Sequence, residues 1–169
     1  MGLDIDTTRG QQSKHWERAC MALLASHTNL RWSKTLEPCP VDGILTDRHD
    51  QIRYVVEQKS RQMTETELRT RFANEWLMTA SKLPHLQAAA RCLHVPAVGV
   101  LYLVPEPLVL VVRLADATGA LVASIRYERT VTQATINGGQ ALRDNAYIGM
   151  AEAVRYAPWP ELTAEDLRW

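Results

Sequence analysis

The chain is short of cysteine, of lysine and of net charge, and each shortage closes off a class of protein. Cys20, Cys39 and Cys92 form an odd, scattered set with no CxxC pair. That argues against a secreted disulfide framework, a structural zinc site or an iron–sulfur cluster, and fits a reducing, cytoplasmic setting. No apolar run approaches the ~20 residues of a membrane span, and the start MGLDIDTTRGQQSK lacks the basic-then-apolar pattern of a leader, so no membrane partner is expected. With 19 acidic and 19 basic residues there is no global positive field of the kind that announces a nucleic-acid binder. Lysine occurs only at 14, 34, 59 and 82, so most positive charge is arginine, which can hold phosphates bidentately in local patches. His15, His27, His49, His85 and His94 show no H-x₃-H or HExxH spacing, and a histidine metal site is not expected.

What is present is enough for one domain of 169 residues that needs no cross-link. Residues 1–12 are polar and unpatterned and read as a loose arm, residues 13–157 as the domain, and residues 158–169 as a tail docked through Trp159 and Trp169. Apolar spacing predicts a first helix over 14–27, capped by Ser13, with Trp16, Cys20, Leu23 and Leu24 inward and Glu17 at the edge of that stripe. A strand over 30–37 follows, then a hairpin of 41–46 and 52–59 around the polar turn DRHDQ. Thr64 and Glu67 make a capping box for a second helix running through Leu68, Phe72, Trp76 and Ala80 to about residue 81. A third helix carries Pro84 in its first turn and ends before PAVGVLYLVP, a buried central strand. LVLVVRL and LVASIRYERT read as a hairpin around ADATGA, the NGG at 137–139 as a turn, and 140–156 as a last helix through Leu142, Ala146, Gly149 or Met150, and Ala153. The expected order is α-β-β-β-α-α-β-β-β-α, an α/β or α+β fold around a mixed central sheet flanked by helices.

Chemistry concentrates in VDGILTDRHDQIRYVVEQK, residues 41–59. Strand side chains alternate, so Glu57 and Lys59 share a face, and the hairpin brings Asp42 close to the level of Glu57. Two facing carboxylates repel, and oxygen pairs of this kind suit Mg²⁺ or Mn²⁺ with water completing the coordination. A lysine beside them can hold a metal-bound water.

Asp42 and Glu57-Gln58-Lys59 resemble the paired elements of the PD-(D/E)XK nuclease superfamily, the restriction-endonuclease-like fold. Glu17 in SKHWERACMALL looks like the additional helical glutamate of many members, Holliday-junction resolvases among them. The resemblance covers the order of elements over about 13–104. It departs at Val41, where a proline would be expected directly before the acid; Pro40 stands one place earlier. The resemblance implies metal-dependent phosphodiester hydrolysis, most simply by a DNA endonuclease. It implies catalytic roles for Asp42, Glu57, Lys59 and Glu17, and Mg²⁺ or Mn²⁺ held by Glu17, Asp42, Glu57 and Gln58. Arg61, Gln62 and Arg69 are candidate phosphate contacts, and cutting two strands leaves room for a homodimer. Each residue also has a plainer reading. Asp42 can cap the proline-rich turn, Glu57 and Lys59 can be a solvated strand-end pair, Glu17 can be an exposed helix acid, and Arg69 can be solubilising. The alternative function is a catalytically inert assembly or adaptor protein of a phage or mobile element on the same scaffold.

Overall fold

In the computed structural model, which describes residues 8–36, 39–133 and 140–158, helix α1 (Thr8–His27) leads into the antiparallel strands β1 (Arg31–Lys34), β2 (Gly43–Thr46) and β3 (Ile52–Arg61). Helix α2 (Glu65–Arg71), strand β4 (Glu75–Thr79) and helix α3 (Lys82–Leu93) follow. The chain continues through β5 (Ala97–Leu103), β6 (Leu108–Ala115), β7 (Ile125–Gln133), β8 (Gln140–Gly149) and β9 (Val154–Tyr156). The fold is mixed α+β. Strands β1-β2-β3-β5-β6-β9, in that order, form a six-stranded mixed sheet, and β4-β8-β7 form a second sheet of three. Among the described pairings only β3 with β5 is parallel. A parallel pair needs a crossover, which the chain supplies through α2, β4 and α3.

Strand β5 is buried at every position, as the unbroken apolar run AVGVLYL predicts for a strand covered on both faces. On one face, Cys20, Met21 and Leu24 of α1 pack against Val56, Val98, Val100 and Tyr102. On the other, Val55, Leu101 and Leu103 meet Leu83, Leu86 and Ala90 of α3, with Trp76, Met78, Ala146 and Ile148 from the smaller sheet. The alternation of β3 therefore aims Val56 and Gln58 at α1, and Val55, Glu57 and Lys59 at α3. The crossover begins on the expected capping box, where the Thr64 hydroxyl accepts from the Glu67 N–H and the Glu67 carboxylate accepts from the Thr64 N–H. No described helix is long and apolar enough to cross a membrane.

The structure corrects the expected order in its second half. The second helix stops at Arg71, and Ala73 and Asn74, both at positive φ (53° and 56°), turn the chain into strand β4. Residues 140–156 are strands β8 and β9, not a helix. Both errors share one cause. Spacings of four, as in Phe72–Trp76–Ala80 and Leu142–Ala146–Met150, satisfy a helical stripe and a two-residue strand alternation alike. Long-range pairing decided between them: β4 binds β8 from Glu75↔Gly149 to Thr79↔Asn145. The expected ADATGA hairpin keeps its turn, with Asp116 Oδ1 accepting from the N–H groups of Thr118 and Ala120, but β6 and β7 belong to different sheets. Helix α1 begins at Thr8, so residues 8–12 are helical and Ser13 is not a cap. The first strand is shorter than its expected 30–37. The NGG turn and the tail tryptophans lie outside the described residues.

Candidate functional site

Asp42 sits one residue before β2, held by main-chain bonds on both sides: its N–H donates to Val56 O (3.1 Å) and its carbonyl accepts from Thr35 N–H (3.1 Å). The register Gly43↔Val56 then sets Asp42 level with Glu57. Gly43 allows β1 this close, since a Cβ there would lie 2.4 Å from Trp32 Cη2 and 2.5 Å from Ser33 O.

The side chains of Asp42, Glu57, Lys59 and Lys82 close into a ring of alternating charge. Lys59 Nζ is 2.8 Å from Glu57 Oε1 and 3.3 Å from Asp42 Oδ2. Lys82 Nζ is 3.1 Å from Glu57 Oε2 and 3.3 Å from Asp42 Oδ1. Each ammonium thus touches one oxygen of each carboxylate. Asp42 Oδ2 also accepts from Gln58 N–H at 2.9 Å, and Lys59 donates to Gln58 O at 3.0 Å. Glu57 is 0% exposed, and neither of its oxygens receives an aligned hydrogen bond despite the two ammoniums beside them.

Burial works against the charged form of Asp42, but the Lys59 and Lys82 ammoniums and the Gln58 N–H together hold its carboxyl below the ordinary 3.8. Burial likewise opposes the Lys82 ammonium, and the two carboxylates outweigh it, raising Lys82 above its ordinary 10.5. The sign for stability follows. A carboxyl depressed in the folded state contributes fully above pH 3.8 and loses that contribution as pH falls through its lower folded value. Asp42→Asn should therefore lower the urea midpoint at neutral pH, by an amount equivalent to about 1–3 kcal/mol. Its difference from wild type should shrink as the pH is taken below 3.8; a difference that is flat from neutral to strongly acid pH would show that Asp42 carries no such charge interaction.

The remaining predicted residues are placed differently. Glu17 pairs with Lys34 at 2.7 Å, from a helix on the opposite sheet face, and does not join the ring. Among the described residues no three His, Cys, Asp or Glu side chains lie close enough to hold a metal together. The Gln58 side chain also faces α1, donating to Ser60 Oγ at 3.0 Å, so only its main chain reaches the ring. Cys20 stands on that same side, its thiol pushed up to about 12 by burial. Arg69 pairs with Glu65 at 2.7 Å on the exposed face of α2, as its plainer reading has it, and Gln62 is exposed. Arg61 lies two residues beyond Lys59, on the same face, and its guanidinium donates to Ser60 O and Leu77 O with no carboxylate partner among the described residues. Burial pushes its pKa down. It lines a cleft of about 380 Å³ with Arg71, Phe72, Trp76, Leu101 and Tyr147.

Lys82 escaped the sequence reading. The available signals were the scarcity of lysine and the topology: a helix returning from β3 to a parallel β5 must start near the end of β3 that carries Glu57 and Lys59.

The chain matches no protein-family model, no curated protein and no solved structure. Its function is therefore read from the chemistry of the ring.

Proposed function

We propose that the chain is a divalent-metal-dependent nuclease of the PD-(D/E)XK type, acting on DNA, with Asp42, Glu57 and Lys59 at its centre. The observation that carries this reading is the fully buried Glu57, whose two oxygens lie 2.8 and 3.1 Å from the same two ammoniums that contact Asp42. A fully buried carboxylate needs cationic partners to offset its desolvation, and a fold that retains one beside a second acid is suited to a cation that both can ligate. The donors are hard oxygens, Asp42 Oδ, Glu57 Oε and the Gln58 carbonyl, the set that favours Mg²⁺ or Mn²⁺. Bound there, the ion would polarise a phosphoryl oxygen and offset charge in the transition state. Lys59, fixed by the Gln58 carbonyl, would orient the attacking water, and Arg61, on the same face further along the strand, would hold a phosphate. The order α1-β1-β2-β3, a crossover ending in α3, and β5 parallel to β3 also agrees with the restriction-endonuclease-like core. In this reading β4 is an insertion, and β6 to β9 are elaborations.

One observation favours the inert adaptor instead: two acids and two lysines already balance in the ring. Incubation with branched, linear duplex and single-stranded DNA, and with RNA, separates the readings. Nicking or cutting that appears with Mn²⁺ or Mg²⁺ and disappears with a chelator is expected. No cleavage of any substrate under these conditions, from folded protein, favours the adaptor.

A further inference from the structure

Lys82 stands where a metal ligand set would leave room for a cation, and the ring has no charge to spare. We propose that Lys82 is a built-in counter-ion that competes with the divalent ion, and that the ion binds by displacing it while Lys59 stays. This inference rests on the nuclease reading. Two features single out Lys82. Lys59 has three oxygen contacts, one of them to the carbonyl of its own strand at Gln58, whereas Lys82 has two, at 3.1 and 3.3 Å. Lys59 projects from within strand β3, where the ladder to β5 runs on both sides of it from Val55↔Ala97 to Arg61↔Leu103, while Lys82 is the first residue of α3 and reaches the acids from a helix end. Charge is the reason that one of the two ammoniums must leave. A divalent ion added to two acids and two ammoniums leaves a net charge of about +2 in a partly buried site, and release of Lys82 halves it. The displaced ammonium would remain on the rim of the site, where an anionic strand must approach.

The test reads metal binding directly, using Mn²⁺ as the probe and the loss of the free-ion electron paramagnetic resonance signal as the measure. Lys82→Met and Lys82→Gln should bind Mn²⁺ at least about tenfold more tightly than wild type, because the competing charge is gone. Lys82→Arg, which keeps the charge, should stay near wild type. Lys82→Gln guards against loss of folding in the methionine form, since its amide keeps hydrogen-bond donors there without the charge. Equal or weaker binding in both charge-removing forms would overturn the inference. If wild type then still binds Mn²⁺ and cuts, the nuclease reading survives without it. If no form binds Mn²⁺, both fail together.

Discussion

Glu57→Gln should leave a folded protein whose metal-dependent cleavage has fallen by about 10³-fold or more, equivalent to about 4 kcal/mol of transition-state stabilisation. The amide keeps the shape of a side chain that is 0% exposed, so no cavity opens. What changes is charge: both ammoniums lose one of their two acids, and a metal ion loses one of its two carboxylates. Removing one partner from a buried ion pair costs about 3–5 kcal/mol, and less where the other charges keep a partner, as Lys59 and Lys82 do through Asp42. A domain stable by about 5–15 kcal/mol survives that loss, so a melt and a single-turnover rate at saturating Mg²⁺ can be read on the same sample. Lys59→Ala should show a comparable fall in rate. A purely structural ring predicts the opposite division: a lowered melting temperature, with cleavage by the folded fraction unchanged.

The pair Asp42 and Glu57 was legible because both lie on one local hairpin, where two-residue alternation and a short turn are enough to fix register. Asp47 marks that turn in the folded chain, its Oδ1 accepting from the N–H groups of His49 and Gln51. Glu17 was not legible in the same way. Its stripe predicted which side of α1 is buried, but which face of the sheet receives that helix depends on packing, and the sheet receives it on the Val56 and Gln58 side. Lys82 was invisible for a related reason: nothing local ties residue 82 to residue 57, and only the parallel crossover brings them together. The central strand needed no such information, because AVGVLYL is apolar at every position and can only be buried on both faces. Over residues 72–80 and 140–156, helix and strand readings competed on equal periodicity, and partners distant in sequence settled the matter.

Trp76 shows what that distant pairing imposes, and it supplies the second large effect. Read as part of a helix, it would be one apolar residue in a stripe; as the second residue of β4 it lays its indole over Gly99, the register partner of Glu57 on β5. A Cβ on Gly99 would stand 2.3 Å from Trp76 Cζ3 and 3.0 Å from Cη2, and Trp76 is only 2% exposed, so the ring has little room to retreat. Gly99→Ala should therefore destabilise by about 1–3 kcal/mol, lowering the melting temperature by roughly 3–10 °C. Trp76→Phe alone should also destabilise, through the volume it removes. Combined, the two changes should cost at least about 1 kcal/mol less than their sum, because the smaller ring vacates the space the methyl needs. Denaturant midpoints of the four proteins measure this coupling. Strictly additive losses would mean that the indole does not press on Gly99, and would remove the close sheet-to-sheet contact that walls the strand beside Glu57.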